Sequence, residues 1–409
     1  MSASQRLRIC YLVPGHDLVA SMGPTRNVLS LATAMAEFAD VSIAFRRISE
    51  GPIPNGLRAM EISPNGVGGR PDDSATSGMG LTEFIPYLRD LRHFCRNTLA
   101  DADVVLEKSW LLSGLVSSRW LLPGQIGIPV ENIVQNPATA SRGHLAKRVR
   151  LEIAQRLNKR FMSSVPAVIA ETDFLKAEIA SHWAVPHARI KVAPLGVDRN
   201  KFRPLDRGEA RRSLGLCSST VILLYVGVLD WTHDLGPLLE VVDDNGGPDI
   251  EVHIVGDGAR RREYEQLASR HPRRIIMHGR VQHESVPNYM AAADLCLAPY
   301  RAAAFASGKV GYSSLKIPEY LACGRAVVAS PGGPMENLIR DGDTGFLVPN
   351  DQESWRGFLA AIPSRLTLHE MGERASSLPL TDWRSTAKNY LEAIRSTAAE
   401  NPDWQGPYA

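Results

Sequence analysis

The sequence predicts an α/β protein built from two doubly wound parallel-sheet domains, and three observations lead to that prediction. The chain has 409 residues, of which 44% are apolar. A chain of this length exceeds what one compact hydrophobic core accommodates. Short apolar runs of strand length alternate with longer stretches of helical periodicity. The pattern also restarts near the middle: the run 8–13 leads through a Gly-containing loop into the helical stretch 27–38, and the run 221–227 leads into 235–244.

The predicted strands follow one another through the whole chain with helix-length or loop-length segments between them. Alternation of strand and helix is typical of parallel sheets. Residues 49–80 are rich in Gly, Pro and Ser and show little periodicity, so we expect a long loop there, where a substrate lid could lie. In chain order the predicted strands are 8–13, 41–45, 103–106, 167–170, 221–227, 251–256, 274–279, 294–300 and 326–330.

The segment 193–216 divides the chain, because two prolines and a glycine interrupt it between a strand-like run and a new helix. We place the boundary near residue 205, which gives a first domain of 1–205 and a second of 206–380. A last helical stretch, 381–396, follows a loop and can pack back on the first domain or remain with the second.

Composition and charge exclude several classes of protein. There are 46 Lys and Arg residues against 44 Asp and Glu residues, a balance that argues against a nucleic-acid-binding protein. The five Cys residues include no Cys-x-x-Cys pair, which fits a reducing compartment. The N-terminus has too short an apolar run for a signal peptide, and no segment approaches the roughly 18 to 20 apolar residues of a membrane span. The prediction is a cytoplasmic protein, soluble or at most peripheral to a membrane.

No complete phosphate-binding fingerprint is present, neither G-x-G-x-x-G nor G-x-x-x-x-G-K-[ST]. The nearest pattern is Gly256 and Gly258 between a strand and a helix, and a tight strand-to-helix turn is its simpler explanation. Ligands of open parallel sheets bind at the carboxyl ends of the strands. The loops after strands, facing a cleft between the two domains, are therefore the predicted site.

Three loops of the first domain follow strand-like runs and carry candidate binding residues. Gly23 and Pro24 precede a helix whose free N-terminal amides could hold an anion or admit a sugar. Glu107 and Lys108 end a strand, where they form either a charged site or a surface ion pair. Asn136 follows a third strand-like run.

The most informative segment is the loop and helix of 300–333. A Gly- and Ser-rich loop leads into a helix beginning near Ser314, with Lys316 and Glu319 in its first turns. Backbone amides and Lys316 suit a diphosphate, and Glu319 suits a ribose diol. The alternative is a helical i,i+3 ion pair between Lys316 and Glu319, worth about 0.2 to 0.5 kcal/mol.

Five stretches carry a family resemblance, namely 167–204, 221–240, 252–268, 276–300 and 313–355. Taken in order and with these spacings, they resemble the family-4 glycosyltransferases of the GT-B fold. The resemblance implies two Rossmann-like domains, the first on the acceptor side and the second binding a nucleoside-diphosphate sugar. It also implies transfer with retention of anomeric configuration, without a metal or other cofactor. UDP is the default nucleotide, whereas neither the donor sugar nor the hydroxyl acceptor follows from the sequence.

By this resemblance, the second domain binds the donor through a Glu-x7-Glu motif that ends on Glu319, which would hydrogen-bond the ribose. Gly311 replaces the first Glu of that motif. The backbone amides of Ser314 and Leu315 would reach the diphosphate. Lys316 matches a branch of the family with a Ser-Pro-Leu-Lys-x-x-Glu-Tyr version of the motif.

A second departure concerns the diphosphate clamp, which the family usually builds from an Arg and, five residues later, a Lys in the first loop of this domain. Val228 and His233 stand at these positions. Loss of a preorganised charge at a leaving group typically costs on the order of 10² to 10³ in rate. The basic residues that could substitute for the clamp are Lys108, Arg301, Lys309 and Lys316, although a solvated loop explains Arg301 and Lys309 equally well.

The resemblance also assigns residues around the transfer reaction. Gly23 matches a loop beside the donor phosphate and the acceptor, and Asn136 matches an Asn-Ala-Pro element. One branch of the family has a Glu-Arg pair at this point. In this sequence Glu107 matches the Glu, and Lys108 replaces the Arg. Val281 of the second domain would contact the base through its backbone. In the implied front-face transfer a diphosphate oxygen takes the acceptor proton, and Lys108 is the predicted charged group facing the transfer centre.

Two other patterns have simpler explanations. Asp101 and Asp103 are similar to an Asp-x-Asp metal motif but precede a strand, and no His pair has ligand spacing, so no metal site is predicted. The stretch 144–161 is a basic amphipathic helix that could contact anionic lipid, and a solvated face on a packed helix is the simpler interpretation.

Three functions are compared on this basis. A retaining sugar transferase is favoured. A nucleotide-sugar epimerase of similar fold would need paired carboxylates and a His facing the sugar, which the sequence does not display. A non-catalytic homologue that binds a nucleotide or a partner protein is favoured by Val228, His233 and Gly311 together.

Overall fold

The computed structural model describes residues 6–19, 23–63, 79–141, 144–216, 219–243, 249–311, 314–404 and 406. The chain divides into two compact units. The first comprises Met1–Leu195 and Trp383–Ala409, and the second comprises Gly196–Asp382. Each unit contains one large sheet whose strands pair in parallel, so the predicted α/β architecture of two parallel-sheet domains is confirmed.

The first unit holds a sheet of seven strands in the order β5-β3-β1-β6-β7-β8-β9, counted over the described residues. Ile9, on the third strand in this order, pairs with Val41 on one side and Val104 on the other. The strands of the unit are β1 (Arg8–Val13), β2 (Leu18–Val19), β3 (Asp40–Phe45), β4 (Ile48–Glu50), β5 (Arg58–Glu61), β6 (Val104–Lys108), β7 (Ile126–Glu131), β8 (Val168–Ala170) and β9 (Ile190–Val192), with β2 paired to β4 in a separate small sheet.

Helices cover the first sheet and bury its apolar side chains, as the near-continuous apolar runs of the strands require. They are α1 (Gly23–Met35), α2 (Leu81–Asn97), α3 (Leu115–Arg119), α4 (Pro137–Ala140), α5 (Leu145–Met162) and α6 (Asp173–Trp183). Thr172 caps α6 by accepting a hydrogen bond from the Leu175 amide, with Oγ1 3.1 Å from the nitrogen.

The second unit holds a sheet of six strands in the order β12-β11-β10-β13-β14-β15, again within the described residues. Its strands are β10 (Val221–Val226), β11 (Ile250–Val255), β12 (Ile275–Gly279), β13 (Leu295–Ala298), β14 (Ala326–Ala329) and β15 (Gly345–Leu347). Its helices are α7 (Arg207–Ser213), α8 (Gly236–Leu239), α9 (Arg261–Arg270), α10 (Val286–Ala292), α11 (Lys316–Ala322), α12 (Pro334–Leu338), α13 (Gln352–Ala360) and α14 (Arg365–Ser376).

The last helix, α15 (Trp383–Ala399), belongs to the first unit. Tyr390 and Ile394 are buried in the same core cluster as the central strands of the first sheet. The Thr386 hydroxyl donates a 2.8 Å hydrogen bond to the Pro194 carbonyl. Of the two placements left open for this helix, the structure therefore has the one on the first unit.

The division between the units falls at residue 195, ten residues before the predicted boundary at 205. The Val197 amide donates to the Thr381 carbonyl at 2.9 Å, and the Arg325 guanidinium donates to the Leu205 carbonyl at 3.1 Å. These bonds tie 196–205 to the second unit. The two prolines and the glycine of the linker mark a chain reversal but do not show which core receives the segment that follows.

Each of the nine predicted strands corresponds to an observed strand, with ends that differ by at most three residues. The predicted loop 49–80 is wrong in part, because Arg58–Glu61 forms an edge strand in register with β3. Residues 64–78 of that loop lie outside the described residues. The fully buried strand β7 was not predicted, and neither were the short strands β2, β4 and β15.

Candidate functional site

Lys316 is the first residue of α11 and lies largely buried at the carboxyl end of β10. Its Nζ donates a 3.1 Å hydrogen bond to the Tyr225 hydroxyl and stands 4.3 Å from the centre of the Tyr225 ring. A Cβ at Gly227, the residue after β10, would come within 2.9 Å of this Nζ. Lys316 therefore reaches across to the first loop of the unit, which is not the geometry of an i,i+3 pair along its own helix.

Burial lowers the pKa of Lys316 to about 7, although Asp230 and Glu319 both act to raise it. The ammonium is thus poorly solvated, and any anion that approaches it gains more than it would from an exposed lysine. Glu319 is one helical turn further on and partly exposed. The arrangement is suited to binding an anion that carries more negative charge than Asp230 and Glu319 place beside Lys316.

The loop that follows β10 contains the two positions at which the clamp residues of the resembled family are missing. The Asp230 carboxylate accepts hydrogen bonds from the Thr232 and His233 amides at 2.8 and 3.0 Å, and contacts His233 Nδ1 at 2.9 Å. Burial acts to raise the pKa of Asp230, but His233 and these amides outweigh it and hold the pKa well below its usual range. The Val228 carbonyl accepts the Tyr225 hydroxyl at 2.6 Å, so the loop is fixed by its own contacts.

His233 does not replace the missing lysine as a cation. Its pKa is lowered, first by burial and then by the charge of Lys316, while Asp230 acts in the opposite direction. The ring lies between two tyrosines, with its centre 6.3 Å from that of Tyr225 and 5.1 Å from that of Tyr300. Lys316 consequently provides the positive charge at this edge of β10.

Arg301 follows β13 and is held by an ion pair rather than projecting freely. It pairs with Asp234, which also binds Arg260, and the two guanidinium groups lie 5.7 and 4.9 Å from the centre of the Trp231 ring. Asp234 neutralises part of this charge. Arg301 is therefore positioned at the edge of the predicted donor site with its charge shared.

The other predicted donor residues lie in neighbouring loops of the same unit. Ser314 is buried and Leu315 directly precedes α11, so their backbone is placed beside Lys316. Val281 follows Gly279, a left-handed glycine that ends β12. The carboxyl ends of parallel strands lie at one edge of a sheet, and β10, β12 and β13 bring these residues to that edge.

Gly256 and Gly258 are explained by packing. A Cβ at Gly256 would lie 1.8 Å from the Gly227 carbonyl oxygen, and one at Gly258 would lie 2.4 Å from that of Leu229. Both glycines also have positive φ angles, of 151° and 154°. The tight-turn interpretation is therefore correct, and the turn lets the loop after β11 lie directly on the loop after β10.

Lys108 and Glu107 end β6 but do not form the surface pair considered from the sequence, because both are fully buried. Lys108 Nζ lies 3.2 Å from Glu171 Oε1, which also accepts a 3.1 Å hydrogen bond from the Asn27 amide nitrogen. Burial raises the pKa of Glu171, and Lys108 acts to lower it. Because Asn27 lies on α1, the pair connects β6 and β8 to the helix that begins at Gly23.

Glu107 is bound entirely by the segment that follows it. Its carboxylate accepts hydrogen bonds from the Ser117 amide at 2.8 Å, the Ser117 hydroxyl at 2.6 Å and the Trp110 indole at 2.8 Å, and weaker bonds from the Gly114 and Val116 amides. These contacts cap the first turn of α3. The two oxygen atoms receive five donors, so the carboxylate has a structural role here, and its predicted donor-binding role stays a prediction.

Of the remaining first-unit residues, Gly23 is exposed and Asn136 is partly buried. Gly23 begins α1, where a Cβ would meet no atom within 4 Å, and Pro24 follows it in the first turn. Asn136 caps the short helix α4 by accepting the Ala138 amide at 3.0 Å. The structure brings Lys108 close to α1 but gives Asn136 a capping role of its own.

Two buried acids, Glu171 and Glu131, were not predicted from the sequence. Both are buried acidic residues at the end of a strand, Glu171 directly after β8 and Glu131 as the last residue of β7. Neither Glu131 oxygen has a hydrogen-bond partner in the described part of the chain, and burial raises the pKa of Glu131 well above its usual value. An acid at a strand end, the signal used for Glu107, could have identified both.

Across the ranges given above, no group of three or more His, Cys, Asp or Glu side chains is placed to hold a metal ion. Among the helices described, none is both long enough and apolar enough to span a bilayer.

The second unit is similar in sequence to a described protein family, and most of the chain is similar to two curated relatives. A sequence model of the family described as glycosyl transferases group 1 matches residues 220–363. D-inositol 3-phosphate glycosyltransferase from Geodermatophilus obscurus is 26% identical over 394 residues, covering 91% of this chain and 84% of its own. The protein of the same description from Actinosynnema mirum is 27% identical over 326 residues, covering 74% of each chain.

Solved structures resemble the whole chain. Sucrose-phosphate synthase from Thermosynechococcus elongatus superposes with a TM-score of 0.77 at 19% identity, covering 96% of this chain and 100% of that one. Anabaena HepE in complex with UDP-glucose superposes with a TM-score of 0.69 at 16% identity, covering 95% and 100%. HepE has also been solved with UDP alone and with UDP and glucose.

Proposed function

Because the chain has the GT-B fold of these glycosyltransferases and carries a group 1 glycosyltransferase domain, we propose that it transfers a hexosyl group from a UDP-sugar to a hydroxyl acceptor. The proposal includes retention of anomeric configuration, independence of metal ions and a place in glycan or natural-product biosynthesis. HepE supports the choice of a UDP-sugar, since its structures hold UDP and UDP-glucose. The relatives named for D-inositol 3-phosphate make a polyol phosphate the first acceptor to test.

The observation that carries the proposal is the position of the buried Lys316 ammonium group at the end of β10. A leaving diphosphate needs positive charge beside it, and Val228 and His233 do not supply that charge. Lys316 stands at Gly227, at the end of β10, with a pKa lowered to about 7. We infer that the diphosphate binds here, that its charge restores the ammonium form of Lys316, and that the ammonium then stabilises the diphosphate as the bond to the sugar breaks.

The other predicted residues have supporting roles in the proposal. Glu319, one turn along α11, binds the ribose diol, and the Ser314 and Leu315 amides contact the diphosphate. Val281 contacts the base through its backbone. Arg301 stays paired with Asp234 at the edge of the donor site. In the first unit, Gly23 and Pro24 admit the acceptor to the backbone, and Asn136 borders it.

Lys108 acts in this proposal through its position rather than by moving a proton. It is buried and paired with Glu171, so its charge is fixed at the ends of β6 and β8. Glu171 shares this charge, so only part of it remains to favour an acceptor or transition state that carries negative charge. The proton of the acceptor hydroxyl goes to a diphosphate oxygen, and no side-chain nucleophile takes part.

A non-catalytic protein that binds a nucleotide or a partner is the second candidate. The specific observation that favours it is the loop after β10, in which Asp230 and His233 satisfy each other and leave Lys316 as the cation at that edge. Incubation with a UDP-sugar separates the two candidates. Slow release of UDP without any acceptor supports the transferase, whereas tight binding with no turnover supports the binding protein.

Nucleotide binding should be selective and should depend on Glu319. We expect UDP at about 1 mM to raise the melting temperature by several degrees, because a Kd of about 10 μM stabilises the native state by roughly 2.7 kcal/mol. GDP, ADP and dTDP should give smaller shifts, and Glu319→Ala should lose the UDP shift. Glu336→Ala, at another helical glutamate of the same unit, is the control. Absence of a shift with all four nucleotides would contradict the proposed donor.

Metal removal should leave the reaction unaffected. We expect the rate of UDP release from a UDP-sugar to be the same after treatment with EDTA as before it, since a lysine rather than a metal ion neutralises the diphosphate. The measurement is a coupled assay for UDP with EDTA and with added Mg²⁺ or Mn²⁺. A rate that depends on either ion would exclude the metal-independent mechanism.

A further inference from the structure

Helix α5 carries an apolar stripe on the side that faces away from the protein. Leu145, Val149, Ile153 and Leu157 have relative accessibilities of 75%, 47%, 52% and 38%. They account for four of the six large apolar side chains that are exposed in the described part of the chain. Residues four apart on a helix lie about 40° apart around its axis, so the four form one continuous stripe.

The opposite face of α5 is packed into the first unit. Leu151, Ala154, Asn158 and Met162 are its buried residues, and the mean direction of this buried face lies across the helix from the stripe. The Arg150 guanidinium lies 5.0 Å from the centre of the Phe84 ring, on α2. The helix is thus held by one face, while its second apolar face has no packing partner in the described part of the chain.

Positive charge accompanies the stripe. The helix contains six basic residues and a single acidic one, Glu152, which pairs with Arg148 at 2.9 Å. Arg156 and Arg160 lie within the arc of the stripe, and Lys159 borders it. These three form no ion pair with any residue that the structure describes. An apolar stripe with unneutralised cations matches the two requirements of a helix that lies in the interface of an anionic membrane.

We propose that α5 is a membrane-docking helix and that the stripe inserts into the headgroup region of a bilayer rich in anionic lipid. The 18 residues of α5 form a rod about 27 Å long, which lies parallel to the bilayer surface. Arg156, Lys159 and Arg160 then contact lipid phosphates, and the four apolar side chains lie among the upper acyl chains. The inference rests on the proposed function only for the acceptor, because docking through α5 brings the first unit to a lipid-linked or membrane-bound hydroxyl acceptor.

Vesicle flotation of the full chain tests the proposal. We expect binding to phosphatidylcholine vesicles that contain about one-third phosphatidylglycerol, and at least tenfold weaker binding to pure phosphatidylcholine. The variant Val149→Gln/Ile153→Gln/Leu157→Gln should lower binding to anionic vesicles at least tenfold. Arg156→Glu/Arg160→Glu should do the same and should remove most of the salt dependence, since each basic residue near an anionic surface contributes about fivefold.

Matched variants separate membrane docking from loss of fold or of donor binding. Leu366→Gln removes a large side chain that is 68% exposed on α14, and it should leave vesicle binding unchanged. The UDP-dependent thermal shift should be the same in all of these variants, because none of them alters the second unit's donor residues. If the UDP shift fails while vesicle binding follows the stripe, the donor proposal is wrong and the docking proposal stands.

Two outcomes would overturn the proposal. The first is a vesicle-binding result without the expected dependence: either the wild type does not bind anionic vesicles, or the variants bind them as well as the wild type does. The other is a dimer in sedimentation experiments that the Val149→Gln/Ile153→Gln/Leu157→Gln variant converts to monomer, because a second copy of the chain then covers the stripe. An environment-sensitive fluorophore attached to the Ile153→Cys variant provides a direct readout. Its emission maximum should shift to the blue when the protein binds vesicles.

Discussion

Replacement of Lys316 by Met should reduce kcat/KM for the donor by about 10² to 10³, the usual cost of removing one preorganised charge from an active site. Methionine keeps the length and most of the volume of the side chain while removing the ammonium, so the packing on the Tyr225 ring survives. Lys388→Met is the matched control, because Lys388 is an exposed lysine on α15 of the first unit. Steady-state assays of UDP release measure both variants.

The pH dependence of UDP binding gives a second readout of the same lysine. With a pKa of about 7 in the free protein, Lys316 is protonated below that pH and loses its proton above it. UDP affinity should therefore fall between pH 7 and 9, by up to tenfold per pH unit, a range in which the terminal phosphate is already ionised. The Lys316→Met variant should bind weakly with no such slope. A variant that retains the wild-type slope would show that another group titrates.

Replacement of Glu107 by Ala should cost on the order of 3 to 5 kcal/mol of folding free energy, because several buried donors lose their acceptor, and this is a large fraction of the stability of a typical domain. The change removes a buried carboxylate and strands the Trp110 indole and the amides that cap α3. Glu107→Gln should cost less, because the amide oxygen still accepts part of these bonds. Asp101→Ala, at an exposed acid just before the same strand, should change the stability by under about 0.5 kcal/mol.

Circular dichroism and calorimetry measure this loss, preferably as separate transitions for the two units. UDP added to Glu107→Ala should still stabilise the transition of the second unit, because Glu107 lies in the first. A variant that melts like the wild type but fails to bind the donor would reverse the assignment of Glu107 from a structural to a binding role.

Most of the nine predicted strands were predictable because they are buried on both faces, so each appears as an uninterrupted apolar run between turn residues. Strand β7 is the informative exception. Its sequence contains Gly127 and Pro129, which usually argue against a central strand. Gly127 is needed there because a Cβ would lie 2.5 Å from the Cα of Ser117 on α3. Local sequence gives no sign of that close approach.

The site was predictable only where its residues are consecutive in the chain. Ser314, Lys316 and Glu319 occupy one loop and one helix, so their proximity follows from the sequence. The partner of Lys108 is Glu171, which is 63 residues away and directly follows another strand, and the partner of Lys316 is Tyr225, 91 residues away. Such pairs depend on strand order, which apolar patterning does not determine. The partners of Glu107 are close to it in the chain, but they reach its carboxylate only through the left-handed turn at Gly114.

Helix α15 has a consequence for the way the protein is made. Because Tyr390, Leu391 and Ile394 complete the core of the first unit, the ribosome must synthesise the entire second unit before the first can close. The second unit is an uninterrupted segment and can fold as soon as it emerges. During translation the earlier half of the chain therefore waits, with part of its apolar surface uncovered, for a helix that arrives last.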